Sequence, residues 1–297
     1  TLENASLAAG CIGVSILGQG CIDAALLDAY HALGIRYLST RTIGYDHIDL
    51  DHARSIGLRV CSASYAPNGV ADFTVMMILM CLRHYKQALW RGQVNDFSLT
   101  GLQGREMKDL TIGIIGTGRI GAQVVRNLSG FGCRILAYDL RRNPAVEPQV
   151  TYVDFDTLLA QSDVITLHMP LLDSNRHIIN RESIAKMRDG VVIVNCSRGE
   201  LADIEALIEG IETGKIGALG MDTVEGDEGI IHADHRVDIL PNRNWFYLHQ
   251  FRNVIMTQHM AFYTDAAVSS MVDCGIGGIC QMAAGESCPT ELTGPVQ

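Results

Sequence analysis

Thr111-Ile-Gly-Ile-Ile-Gly116-Thr-Gly118-Arg119-Ile120-Gly121 decides the reading of this chain, because an apolar strand runs straight into a Gly-x-Gly-x-x-Gly turn. Gly116 permits the tight turn, Gly118 lets the backbone approach a phosphate, and Gly121 lets the next helix pack close to the strand with its positive end toward the anion. In a chain of 30 glycines such a triplet is weak by itself, and the plain alternative is a helix-capping turn. A second strand, Cys133-Arg-Ile-Leu-Ala-Tyr-Asp139, strengthens the reading. Its terminal acid falls 18 residues after Gly121, about where a carboxylate takes ribose hydroxyls and repels an added 2′-phosphate. Arg141 and Arg142 leave some tolerance for that phosphate.

Outward from this turn the chain repeats a strand–helix unit, with strands near 111–116, 133–138, 163–168, 191–196, 216–222 and 254–258. Regular alternation of this kind predicts a doubly wound parallel sheet, an α/β fold. Residues 1–66 are α/β-patterned too: apolar runs at 13–17 and 37–39, and helices around 22–33 and 48–56. Ala66-Pro67-Asn68 breaks that pattern. The run 70–83 then predicts a helix too apolar to have a solvated face, buried and in part set against another subunit. Residues 227–253 interrupt the rhythm with Gly, His and Pro and are expected to form a long loop near the site, while 264–283 reads as a helix returning to the N-terminal lobe.

Composition narrows the class. A chain of 297 residues, 47% hydrophobic, can bury a large core and divides into about two domains. A net charge of −10 and a pI near 5.4, with no basic run, argue against nucleic acid or an anionic membrane as partner. Nine cysteines without a Cys-x-x-Cys pair fit neither a disulfide framework nor a zinc knuckle, which points to a reducing cytoplasm. The longest unbroken apolar run, 75–82, is much shorter than a membrane span, and no basic segment leads into an apolar one at the N-terminus. A soluble protein is expected. The sequence opens on Thr1 in place of methionine, so the native start is expected to lie outside it.

Open parallel sheets bind ligands beyond the carboxyl ends of their strands. Those ends carry the glycine turn, Asp139, His168-Met169-Pro170, Asn195-Cys-Ser-Arg198-Gly199, Asp222 and His259. Arg198 offers a planar, permanently charged fork for a carboxylate; the plain alternative is a strand-end salt bridge. His259 can give a proton to an oxygen as hydride reaches the adjoining carbon; the plain alternative is a satisfied polar residue. An acid beside the imidazole would favour its protonated form, and Asp222, Glu225, Asp227 and Glu228 are all candidates that spacing does not separate. His232 and His235 lack a third ligand, so no metal is expected.

Taken together these blocks resemble the D-isomer-specific 2-hydroxyacid dehydrogenases, with the D-lactate and D-2-hydroxyisocaproate enzymes nearest. The resemblance covers almost the whole chain and is carried by Tyr37-Leu-Ser-Thr-Arg-Thr-Ile-Gly44-Tyr-Asp-His-Ile-Asp49, Tyr65-Ala-Pro-Asn-Gly-Val-Ala-Asp72, the glycine turn, Leu167-His-Met-Pro170, Val194-Asn-Cys-Ser-Arg-Gly199 and Thr257-Gln-His-Met-Ala261. It implies a Rossmann nucleotide domain, 67–263, inserted into a smaller discontinuous substrate domain, 1–66 with 264–297, and assembly as a homodimer. It implies Arg198 as the substrate-binding arginine and His259 as the acid/base. Ile43 and Gly44 would offer amides to the substrate carboxylate, and Tyr65 would line its pocket. NAD would lie on Gly116, Gly118, Arg119, Ile120, Gly121 and Asp139, with Met169, Pro170, Asn175, Cys196, Ser197 and Asp222 around the rest.

Three positions depart from the family pattern. The catalytic glutamate is matched by Asp227, one methylene shorter, with Glu228 as the alternative; Gln258 replaces a proline and removes a backbone restraint ahead of His259. Family members also begin with a further strand–helix unit ahead of the match to Thr1, whose loss would expose a sheet edge. The expected activity is reversible NAD-dependent reduction of a 2-keto acid to the D-2-hydroxy acid, D-lactate foremost. The alternatives are 2-hydroxyisocaproate, phenyllactate, 2-hydroxyglutarate, phosphoglycerate or glyoxylate chemistry on the same framework, or an NAD-sensing binding protein.

Overall fold

In a computed structural model, which describes residues 1–17 and 20–294, the chain divides into two units: Thr1–Ala66 with Tyr263–Gln297, and Pro67–Phe262. The first unit is built on three parallel strands, β1 (Gly13–Ile16), β2 (Tyr37–Thr40) and β3 (Arg59–Cys61), in that order. Their crossovers are α1 (Ala24–Ala32) and α2 (Leu50–Ser55). Each helix starts where an aspartate takes an otherwise orphan amide: Leu26 N–H donates to Asp23 and His52 N–H to Asp49, both at 2.9 Å. Leu26, Leu27, Ile35, Leu38, Leu58 and Val60 close the core between helices and sheet.

In the second unit α3 (Asn68–Leu82) and α4 (Tyr85–Gln93) lead into β4 (Thr111–Ile115), α5 (Arg119–Ser129), β5 (Arg134–Tyr138), β6 (Thr151–Tyr152), α6 (Phe155–Gln161) and β7 (Val164–Leu167). There follow α7 (Arg181–Lys186), β8 (Val191–Asn195), α8 (Ile204–Glu212), β9 (Ile216–Met221), α9 (Arg243–Gln250) and β10 (Val254–Met256). All seven strands are parallel, in the order β10-β9-β8-β7-β4-β5-β6. Helices cover both faces of such a sheet, so β4, β7 and β8 are buried at every position and read as unbroken apolar runs. Chain order reverses between β4 and β7, the point at which sheets of this kind bind ligands beyond the strand ends. The doubly wound expectation is met.

The apolar helix α3 buries Val70, Ala71, Thr74, Val75, Met77, Ile78, Cys81 and Leu82 against α5, β8 and β9, and leaves Met76 42% exposed. Within 227–253, expected as one long loop, residues Arg243–Gln250 form α9. Asn242 accepts the Trp245 N–H at 3.0 Å to start it, and Leu248 is buried. Histidine and proline around this helix mask a pattern only two turns long. Lys86 on α4 donates to the carbonyls of His249, Phe251 and Val254 at 2.7 to 2.9 Å, which caps the end of α9. The short edge strand β6 and α4 also carry too little periodicity to be foreseen.

Chain return to the first unit is made by α10 (Asp265–Ala283), which lies on β1, β2 and β3. Gly275 sits over Ser15, Ser39 and Arg41, and a Cβ at Gly278 would press on Cys61 Sγ at 2.6 Å, so small residues set this close approach. At 19 residues and mean hydropathy 1.2, α10 is long and apolar enough to cross a membrane by length and composition. A search for unbroken apolar runs passes over it because Ser, Asp and Gly interrupt the stretch. Beyond it Leu292 N–H donates to Val60 O at 2.8 Å and Glu291 pairs with Arg59 at 2.7 Å, clipping the C-terminal segment to β3.

Candidate active site

The three glycines after β4 are required for different reasons. Gly116 has φ +93°, and a Cβ there would meet the His168 carbonyl oxygen at 2.6 Å; one at Gly121 would run into the Gly116 carbonyl. A Cβ at Gly118 would meet nothing within 4 Å. The protein's own packing therefore demands the first and third glycines, while the second borders open space at the start of α5, whose first amides have no helical partner. That is a cradle shaped for an anion.

Asp139, at the end of β5, is oriented by this turn. Thr117 donates its N–H and hydroxyl to Asp139 Oδ2 at 2.6 and 3.1 Å, and Arg141 N–H donates to Oδ1 at 2.9 Å. Tyr152 on β6 donates to Thr117 Oγ1 at 2.8 Å, and Asn143 donates to the Thr117 carbonyl at 2.8 Å. Two carboxylate oxygens offer about four acceptor directions, so acceptor capacity remains for a ribose hydroxyl. Glycine turn and acid thus fit the dinucleotide that the sequence predicts.

Past β7 and β8 the turns are held by side chains expected to surround the cofactor. Asn175 donates to the Pro170 carbonyl at 2.8 Å and to Met169 Sδ at 3.3 Å while accepting Leu172 N–H at 2.8 Å, which closes the turn on itself. Ser197 donates to Leu167 O at 2.6 Å, tying the end of β8 to β7. Cys196 is buried, and that burial pushes its thiol up, so it stays protonated and inward. Burial pushes the His168 imidazole down to about 3, so it is neutral.

Arg198 follows on the β8 turn, which Asn195 braces by donating to the Arg198 carbonyl at 2.7 Å; Arg198 Nη1 donates to Ser197 O at 2.9 Å. Gly199 lies against the backbone of Val224 and Glu225, where a Cβ would overlap Val224 and stand 2.5 Å from Glu225 N. This contact brings the segment after β9 onto the arginine's turn. Glu225 is occupied elsewhere, accepting from His177 at 2.7 Å and Arg176 at 3.1 Å. Asp227 accepts Val224 N–H at 3.2 Å, and its carboxyl is pushed up to about 6 by burial, with Glu200, Glu228 and Asp222 adding to the rise.

Asp222, expected among the cofactor contacts, is 1% exposed and faces the protein. It accepts the Thr257 hydroxyl at 2.6 Å and the N–H groups of Met260 and Ala261 at 2.9 and 2.8 Å. Both its oxygens thereby hold the turn after β10 that carries His259, whose φ is +53°. Of the two histidines weighed as metal ligands, His232 turns to the His259 carbonyl at 3.2 Å, and His235 pairs with Asp238 at 2.8 Å. Among the described residues no group of three His, Cys, Asp or Glu is placed to hold a metal ion. In the first unit, Ile43 and Gly44 follow β2, where Thr42 donates to Gly44 O at 2.6 Å, and Tyr65 follows β3. Gly199 and Thr257 stand inside motifs that the sequence analysis quotes, but their roles, the close approach to Val224 and the bond to Asp222, are not legible there because those partners are distant in the chain.

A parallel sheet whose chain order reverses at a glycine turn, with an arginine after β8 and a histidine after β10 at the same end of the sheet, defines a dinucleotide-dependent oxidoreductase of the Rossmann class. The family model described as D-isomer specific 2-hydroxyacid dehydrogenase, NAD binding domain, matches residues 75–261. The aromatic 2-oxoacid reductase of Clostridium sporogenes is 44% identical over 91% of this chain and 82% of its own length. Among solved structures, the pyruvate reductase of Chlamydomonas reinhardtii superposes with TM-score 0.89 at 36% identity, over 97% of this chain and 88% of that one. The D-lactate dehydrogenase of Aquifex aeolicus, complexed with NAD and lactic acid, also gives TM-score 0.89, at 30% identity over 98% and 90%. The chain belongs to the D-isomer-specific 2-hydroxyacid dehydrogenase family, and it is an NAD-dependent oxidoreductase.

Proposed function

We propose that this enzyme reduces pyruvate to D-lactate, reversibly, with Arg198, His259 and Asp227 as its catalytic residues. The observation that carries the reading is that Arg198, on the turn braced by Asn195, and His259, on the turn held by Asp222, both stand at the ends of strands that share one parallel sheet. Arg198 holds the substrate carboxylate and polarises the keto oxygen. NADH held on the glycine turn would supply the hydride to the keto carbon. His259 gives its proton to the keto oxygen, which becomes the hydroxyl, and Asp227 sustains the imidazolium charge beforehand. Ile43 and Gly44 offer amides to the carboxylate and Tyr65 lines the pocket, roles that rest on their motifs, with the first unit serving as substrate domain.

Gly116, Gly118, Arg119, Ile120 and Gly121 take the pyrophosphate, and Asp139 takes the adenosine ribose. Met169, Pro170, Asn175, Cys196 and Ser197 contribute the shape and backbone of their turns, since the polar side chains among them are spent inside those turns. Asp222 acts through the His259 turn.

A second reading, an aromatic 2-keto acid as substrate, is favoured by the 44% identity to an aromatic 2-oxoacid reductase. Saturation kinetics with pyruvate, branched keto acids, phenylpyruvate and 2-oxoglutarate, followed by NADH absorbance, separate the two. Highest kcat/KM for pyruvate supports the first, and for phenylpyruvate the second. His259→Gln should retain NADH binding and lose about 10²- to 10⁴-fold in turnover. Unchanged turnover would defeat the mechanism.

The same reading includes a homodimer in the cytoplasm. Leu89, Trp90, Phe97 and Leu99 on and after α4 are 51 to 82% exposed, an apolar surface suited to a second copy. All nine cysteines are free thiols, as a reducing compartment would keep them. Light scattering of wild type and Trp90→Glu tests the dimer, and a monomeric wild type would end it.

A further inference from the structure

We infer that His232 is a positioning residue for His259, an inference that rests on the acid/base role proposed above. His232 lies on the loop between β9 and α9, and its Nε2 stands 3.2 Å from the carbonyl oxygen of His259. A carbonyl only accepts, so His232 carries a proton on Nε2 and donates it. The two rings are 6.1 Å apart between centroids. Phe262 stands nearly edge-on to both, at 6.4 and 6.2 Å, which fixes the three rings as one cluster.

The geometry matters because of which peptide is held. The carbonyl of His259 and the N–H of Met260 belong to one planar unit. Asp222 takes the N–H end at 2.9 Å, and His232 takes the carbonyl end. Clamping both ends of that plane sets the ψ of His259. His259 has φ +53°, in the left-handed region that side chains other than glycine rarely adopt without support from their surroundings. A peptide held at one end only can rotate, and rotation swings the imidazole away from the oxygen it must protonate. His232 therefore couples the loop after Asp227 to the aim of the acid/base.

The test uses the full chain with His232→Ala and with His232→Gln, whose side-chain amide can replace the Nε2–H donor. His232→Ala is expected to lower kcat by about ten- to hundredfold, as a misplaced catalytic group does, with the KM of the keto acid and the Kd of NADH changed less than about threefold. The primary isotope effect with deuterated NADH should rise as chemistry becomes slower than release, and His232→Gln should restore both values. In the protein without nucleotide or substrate, amide exchange at Met260 should speed about tenfold in His232→Ala and return to the wild-type rate in His232→Gln. A kcat within twofold of wild type in His232→Ala, a loss that glutamine does not restore, or unchanged Met260 exchange would each overturn the inference. A wild type that reduces none of the keto acids would instead sink the proposed function, and the exchange measurement separates that failure from this one.

Discussion

Asp222 holds the backbone of Met260: the Met260 N–H donates to its carboxylate at 2.9 Å, one residue beyond His259. The same carboxylate takes Ala261 N–H and the Thr257 hydroxyl, so a single buried side chain organises the whole turn that carries His259. Replacing it with asparagine keeps the size but puts donors where an acceptor is needed. Asp222→Asn should cost about 1–3 kcal/mol for a buried amide left unpaired, and turnover should fall more than about tenfold while NADH still binds. Denaturant unfolding and steady-state kinetics report both, and a stable variant with wild-type kcat would show that the turn holds itself.

Gly118 and Gly199 make opposite predictions for the same substitution. A Cβ at Gly118 meets nothing in the protein, so Gly118→Ala should leave the melting temperature unchanged while weakening NADH by more than about tenfold, because the methyl occupies ligand space. Fluorescence titration beside a thermal melt checks this, and equal NADH affinity would mean that phosphate does not approach there.

At Gly199 the added methyl strikes the backbone of Val224 and Glu225. Gly199→Ala should therefore destabilise by about 1–3 kcal/mol, as overpacking does, and push away the loop that carries Asp227. Turnover should drop further than NADH affinity. Retained stability and retained kcat together would show that the contact gives way without consequence.

Asp227 links pH to stability and, through its proposed role beside His259, to rate. Its carboxyl is held at about 6 in the folded protein, against 3.8 ordinarily, chiefly by burial. The native state thus binds this proton more tightly than the unfolded chain, so the stability it contributes is fully present below about pH 3.8 and is lost as pH rises through 6. Relative to wild type, Asp227→Asn should gain about 3 kcal/mol at pH 8, roughly half as much at pH 5, and nothing below about pH 3.8. The same variant should lose turnover, since a neutral amide cannot sustain an imidazolium. Unfolding curves across this range decide the point; a gain that does not vary with pH would remove Asp227 as a titrating group.

Strands β4, β7 and β8 were readable because burial on both faces leaves unbroken Val, Ile and Leu runs, and the glycine turn was readable because its spacing is a steric requirement of one local bend. Arg198, Asp222 and His259 were singled out by asking what ends each strand. The helix Arg243–Gln250 was not, because two turns flanked by histidine and proline carry little periodicity, and α10 was read as helix but not as a candidate span.

Sequence alone determined the α/β class, the place of the phosphate turn and the chemical types at the strand ends, all of which follow from short-range sterics and from burial that repeats along the chain. Tertiary structure decided what those groups do for one another. Asp222 looks like a ligand contact in the sequence, yet 35 to 39 residues separate it from Thr257, Met260 and Ala261, and only the parallel pairing of β9 with β10 brings them within hydrogen-bond reach. Gly199 shows the same limit: the need for a missing Cβ is imposed by the backbone of Val224, which no local pattern around Gly199 contains.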